Sequence, residues 1–201
     1  MPKTKSHISG LLISAGFSKR MGAFKPLMEF EEETFVVTIV RKLLLVCKNV
    51  VVVTGYNKEL IEMEMNKLSS GRIILAHNPD FEKGMFTSLQ TGLRQLKDSD
   101  WVLYHFIDQP FHKERFYTEF ITQITKEADW IQPSYSGKTG HPILFNRKIS
   151  DLILNGSPDS NLRLIRDLPD KKKVSWECGY KEVLLDFDTP DDINDYQISA
   201  R

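Results

Sequence analysis

Leu11–Lys25 reads LLISAGFSKRMGAFK: an apolar run passes straight into a loop holding two glycines and three cations before any helical pattern begins. Gly16 and Gly22 permit a sharp turn and a close backbone approach to an anion, and Lys19, Arg20 and Lys25 bring the charge that a triphosphate would need neutralised. The segment is not a Walker loop, which requires Gly-Lys followed by Ser or Thr, because Gly22 precedes Ala23 and Lys25 precedes Pro26. Nor does it carry the Rossmann glycine fingerprint. A phosphate-binding loop of another kind is expected, with Lys19 facing solvent.

Outward from this loop, apolar runs of strand length alternate with longer stretches of helical period. That is the pattern of a parallel sheet with helices on both faces, and it predicts a Rossmann-like three-layer α/β sandwich. Strands are expected at Ile8 to Ser14, Val50 to Thr54, Arg72 to Ala76, Trp101 to Ile107, Trp130 to Pro133 and Val183 to Phe187. Helices are expected at Thr34 to Cys47, Lys58 to Leu68, Phe86 to Leu96, Lys113 to Lys126, Arg147 to Leu154, Asn161 to Asp167 and Asp191 to Ile198. With no Pro/Gly/Ser-rich linker, the 201 residues read as a single domain. Ligands of such sheets sit at the carboxyl ends of the strands, which is where the basic loop, Asp108 and Asp188 all fall.

The 27 basic and 27 acidic residues cancel, so no overall field draws the chain to nucleic acid or membrane, and any anion site is local. The apolar runs are far too short for a membrane span and the start MPKTKSHIS lacks a signal core, so a cytoplasmic location is expected. Cys47 and Cys178 lack metal-ligand spacing and read as packing residues. The run Lys171 to Lys173 reads as a solvated turn.

The loop resembles the opening of the molybdenum cofactor cytidylyltransferases, roughly LAAGxSxRMGxxK, within the wider nucleotidyltransferases. Ala15, Gly16, Ser18, Arg20, Met21, Gly22 and Lys25 fall on that pattern in order, and Ser14 stands where Ala is usual. Four further segments match downstream in sequence: GMFTSLQTGL from Gly84, FIDQP ending at Pro110, GHPILF from Gly140, and DFDTPDDI from Asp186. The resemblance implies a fold like that of the nucleotide-diphospho-sugar transferases, with the nucleotide in the N-terminal half and the acceptor in the C-terminal half. It also implies transfer of CMP from CTP to molybdopterin-bound molybdenum, with release of pyrophosphate. Ala15, Gly16, Ser18, Arg20, Gly22, Lys25, Gly84 and Ser88 would then bind the nucleotide, with Arg20 on the triphosphate and Lys25 beside the α-phosphate.

Asp108 closes an apolar strand and should emerge beside the first loop, in a position suited to Mg2+, which takes one or two carboxylates with phosphate oxygens and waters. Asp188 supplies a second carboxylate, or else helps start the final helix, and Asp186 projects from the same side two residues earlier. Ser88, in a first helical turn, either reaches the nucleoside or bonds locally. His141, within the matching hexapeptide, reads as a donor to the acceptor or as a packed histidine.

The chain departs from the family pattern in NGSPDSNLRLIR, from Asn155 to Arg166, where Arg163 corresponds to a family arginine but Ser160 and Asn161 replace small residues. The acceptor is therefore less determined than the reaction class. Rival readings are a guanylyl- or other nucleotidyltransferase acting on a different small phosphate ester, and a carrier that delivers finished cofactor to a molybdenum-enzyme recipient or its chaperone. The Ala15-Gly16 pair favours CTP over GTP, though the same pair also occurs in enzymes that use UTP.

Overall fold

The computed structural model describes residues 6–189, 191–193 and 196. The chain runs β1 (Ile8–Ser14), the hairpin β2 (Glu29–Phe30) and β3 (Glu33–Thr34), α1 (Phe35–Val46), β4 (Val50–Thr54), α2 (Lys58–Lys67) and β5 (Ile73–His77). It continues through α3 (Met85–Arg94), β6 (Trp101–Phe106), α4 (Glu114–Phe120), β7 (Trp130–Tyr135), β8 (Lys138–Thr139) and β9 (Ile143–Asn146). Then follow α5 (Arg147–Asn155), α6 (Leu162–Arg166) and β10 (Lys173–Glu177). The main sheet has the order β10-β7-β9-β6-β1-β4-β5, with β8 beside β7. Its pairs are parallel except those of β9 with β6 and β7, and of β8 with β7.

Alternation along the strands creates two cores. Leu12, Val50, Val52, Leu103 and Leu144 face α1, α2 and α4 through Val36, Ile39, Val40, Ile61, Phe116 and Phe120. Their neighbours Leu11, Val51, Val53, Tyr104 and Phe145 face α3, α5 and α6 through Phe86, Leu89, Leu93, Ile149, Ile153 and Ile165. A period of two on a strand sends successive side chains to opposite faces, so strands covered on both sides read as continuous apolar runs. This is the three-layer α/β architecture that the sequence predicts.

One predicted strand does not form. Residues 183–187 leave a short 3-10 turn, Lys181–Leu184, and cross the ends of the sheet instead of joining it. The apolar pattern there is real, since Val183 and Phe187 are fully or almost fully buried, but among the described residues it pairs with no strand. The edge beside β7 is taken by β10, whose first residue is Lys173. The basic run is thus not a plain solvated turn: Lys173 opens a strand, and the largely buried Lys171 ammonium lies 2.8 Å from Asp170. The short strands β2, β3, β8 and β9 are also absent from the expected set; two to four residues carry too little periodicity to register. Of the expected final helix, residues 191–193 and 196 are helical, and 194, 195, 197 and 198 lie outside the described residues.

The altered segment before α6 has a local reason. Asn161 is the residue preceding that helix, and its side-chain oxygen accepts the Leu164 N–H at 3.1 Å.

Candidate functional site

β1 delivers the chain into the basic loop at the carboxyl edge of the sheet. The Ala15 carbonyl accepts the Tyr56 N–H at 3.1 Å, tying the loop to the segment after β4. Ser18 (φ 54) and Gly22 (φ 69) both adopt left-handed backbone around a single 3-10 turn, Lys19–Met21. Met21 is buried with Phe35, Phe111 and Phe187, so the loop has its own apolar anchor. The Ser18 hydroxyl accepts the Lys25 N–H at 3.1 Å and closes the turn. A Cβ at Gly16 or Gly22 would meet no atom within 4 Å, which leaves open space above the loop.

The loop's cations meet carboxylates from two distant segments. The Lys25 ammonium, on a side chain only 9% exposed, lies 3.0 Å from Asp188 Oδ1 and 3.6 Å from Asp108 Oδ2. Arg20, exposed to solvent, donates to Asp188 Oδ2 at 2.6 Å. Lys19 stands apart, with its ammonium 5.0 Å from the Phe17 ring centroid. Burial raises the Asp108 carboxyl to about 6; the Lys25 ammonium opposes this, while the Asp186 and Asp188 carboxylates add to it. Asp108 Oδ1 is buried and has no hydrogen-bond partner among the described residues. An unpaired buried carboxylate oxygen flanked by two more carboxylates suits a hard divalent cation. Among the described residues no three or more His, Cys, Asp or Glu gather as a complete metal cage.

Asp188 is not the group that starts the last helix. Asp192 does this, its Oδ2 accepting the N–H groups of Asp188 and Thr189 and the Thr189 hydroxyl at 2.7 to 2.9 Å. The Asp188 side chain is free to turn toward Lys25 and Arg20. The segment carrying it is hung from the loop after β6. Phe187 N–H donates to the Asp108 carbonyl at 3.0 Å, and Gln109 Nε2 donates to the Leu185 carbonyl and to Asp186 Oδ1, both at 2.8 Å.

Gly84 (φ 115) precedes α3, whose first turn has no side-chain cap among the described residues. The Ser88 hydroxyl is buried and accepts from Asn78 Nδ2 at 2.9 Å, so local bonding of this serine is realised. Asn78 is the residue the sequence reading missed. It also donates to Thr87 Oγ1 at 3.0 Å, accepts the Asp80 N–H at 3.0 Å, and gives its own N–H to the Thr54 carbonyl at 2.8 Å. The Asn78-Pro79 turn signal beside the matching segment could have pointed to it.

On the far side, Gly140 lets two chain segments touch: a Cβ there would lie 2.0 Å from the Val183 carbonyl oxygen. His141, joined to Pro142 by a cis peptide, gives its N–H to the same carbonyl at 3.0 Å. Its ring centroid is 4.1 Å from that of Phe106, and its Nδ1 is buried without a partner among the described residues. Burial lowers the His141 pKa, with Asp186 acting against this and Arg166 reinforcing it. Arg166, on α6, is itself paired with Asp167 at 2.7 and 2.9 Å. Arg163 is exposed on the same short helix, and no side-chain bond or ion pair holds it among the described residues.

The sequence pattern of the MobA-like NTP transferase domain matches residues 10–173. The chain is 30% identical over 188 residues to the molybdenum cofactor cytidylyltransferase of Escherichia coli, covering 93% of this chain and 94% of that protein. Among solved structures, a Methanothermobacter nucleotidyl transferase superposes with a TM-score of 0.78 at 19% identity, covering 97% of this chain and 99% of the other. The Mycobacterium tuberculosis protein Rv0371c, solved in complex with manganese, gives 0.76 at 17% identity, with 96% and 100% covered.

Proposed function

The chain belongs to the MobA-like NTP transferase family, and from that premise we propose that it transfers CMP from CTP to the terminal phosphate of molybdenum-loaded molybdopterin. The carrying observation is the buried Lys25 ammonium set between Asp108 and Asp188 at the mouth of the glycine loop. Cations already positioned by carboxylates can exchange them for phosphate oxygens without moving far, and phosphoryl chemistry asks mainly for position and charge.

In this reading Gly16, Ser18 and Gly22 shape the cradle, with Ala15 at its base. Arg20 holds the β- and γ-phosphates, and Lys25 holds the α-phosphate where negative charge grows. Gly84 and Ser88 set the nucleoside, and Ala15-Gly16 favours CTP. Asp108 and Asp188 would hold Mg2+, whose chemistry is to neutralise the triphosphate and the departing pyrophosphate. An oxygen of the acceptor phosphate attacks the α-phosphorus; the bond to the bridging α–β oxygen breaks, and pyrophosphate leaves with the electron pair. The acceptor is anionic at neutral pH, so no general base is needed. His141, Asp186 and Arg163 line the acceptor side, which gives the N-terminal half to the nucleotide and the C-terminal half to the acceptor within a single domain. A molybdenum enzyme or its chaperone would receive the product.

Purified protein incubated with Mg2+, each nucleoside triphosphate in turn and molybdenum-loaded molybdopterin, followed by mass analysis, tests base, acceptor and activity together. A cytosine dinucleotide is expected. A guanine dinucleotide, or CTP consumed only with some other phosphate ester, would replace the substrate assignment.

A further inference from the structure

Asp188 reaches the site on a segment that belongs to no strand and no helix. Sheet pairing therefore cannot fix its distance from Asp108, and the bonds made by the loop after β6 must do so. Two of those bonds come from one side chain. Gln109 is fully buried, and both hydrogens of its Nε2 are used, on the Leu185 carbonyl and on Asp186 Oδ1.

Both partners can only accept, so the amide is oriented unambiguously with nitrogen toward the segment. Its Oε1 is left buried with no partner among the described residues. A side chain kept for packing alone would not carry an unpaired buried acceptor; leaving it so makes sense only if the two donated bonds matter. Gln109 is also covalently next to Asp108, whose carbonyl takes the Phe187 N–H at 3.0 Å. Residues 108 and 109 thus grip 185, 186 and 187 on successive residues, immediately before Asp188.

We propose that Gln109 is a positioning residue that sets the second carboxylate, Asp188, against Asp108 and Lys25, and so determines how firmly the metal–triphosphate complex is held. The inference rests on the proposed nucleotidyl transfer for its setting, but it concerns binding and can be read without turnover. Gln109 does not touch substrate. It acts through the backbone of 185–187 in the way that outer partners fix the ligands of metal sites, where their loss typically costs ten- to a hundredfold in metal affinity or activity.

Two near-isosteric variants test it. Gln109→Glu turns a donor into an acceptor facing a carbonyl and a carboxylate, and Gln109→Leu removes both bonds without adding charge. Water-proton relaxation of Mn2+–CTP titrated with each protein reads the ternary complex, and CTP titration in EDTA reads nucleotide binding alone. Both variants should weaken Mn2+–CTP binding about ten- to a hundredfold and lower kcat by a similar factor. Metal-free CTP affinity should change less than about threefold, because the basic loop keeps the Ser18–Lys25 and Ala15–Tyr56 bonds, neither of which involves residues 185–187.

Ternary affinity within about threefold of wild type in either variant overturns the proposal. A parallel fall in metal-free CTP binding overturns it too, since Gln109 would then only support the fold. If the wild-type protein binds Mn2+–CTP yet transfers CMP to no acceptor, the proposed activity fails while the Gln109 measurement still stands.

Discussion

Lys25 and Asp188, 163 residues apart in the chain, meet with 3.0 Å between Nζ and Oδ1 at the open edge of the sheet. Asp108 stands on the other side of the same ammonium at 3.6 Å. One buried cation thus links the beginning, middle and end of the sequence, and the charge balance around it sets the following expectations.

Asp108→Asn should abolish transfer, by at least about a hundredfold, because the group aimed at the metal–triphosphate loses its charge. The same change should stabilise the fold above pH 7, by about 1–3 kcal/mol, because burial of the ionised carboxylate outweighs its attraction to Lys25. Melting curves and a turnover assay on one preparation check both. A loss of stability would mean that Lys25 dominates.

The pH dependence follows from the same carboxyl, raised to about 6 from the ordinary 3.8. The folded chain holds this proton more tightly than the unfolded chain does. Its contribution to stability is therefore complete below pH 3.8 and is lost as pH rises through about 6. Activity needs the ionised form and runs the other way, so kcat/KM should fall on the acid side with an apparent pKa near 6. A profile flat down to pH 5 would rule out ionised Asp108 as a requirement.

Lys25→Met should act oppositely on stability. It leaves Asp108 and Asp188 facing each other without the ammonium, a loss of roughly 2–4 kcal/mol, and it also removes the α-phosphate contact. Thermal unfolding together with CTP titration should show both falling. An unchanged melting temperature would show the pair to be neutral.

Gly16→Ala and Gly140→Ala should separate ligand space from packing. An added methyl at Gly16 meets nothing, so stability should stay within about 0.5 kcal/mol while CTP affinity drops. At Gly140 the methyl would strike the Val183 carbonyl at 2.0 Å, and a loss of about 2 kcal/mol or more is expected. The contrast is read from unfolding curves paired with CTP titrations, and equal effects in both variants would refute it.

Asn78→Ala removes the donor shared by Thr87 and Ser88 and should raise KM for CTP with kcat little changed, at a stability cost of about 1–3 kcal/mol. A kcat effect without a KM effect would place this network away from the nucleoside.

The sequence by itself determined the layers and the reacting edge. The apolar runs Leu11–Ile13 in β1, Val50–Val53 in β4 and Trp101–Tyr104 in β6 specify strands covered on both faces, and glycines beside cations specify an anion loop, because these signals lie within a few neighbouring residues. Tertiary structure alone decided how the end of the chain enters the site. Residues 183–187 bury Val183 and Phe187 but join no ladder among the described residues, and those side chains together with hydrogen bonds to His141, Asp108 and Gln109 hold them. It also decided that Asp192, not Asp188, starts the last helix. Hydrogen bonds between segments so distant leave no period in the sequence; their partners are chosen by which chain ends the folded sheet brings together.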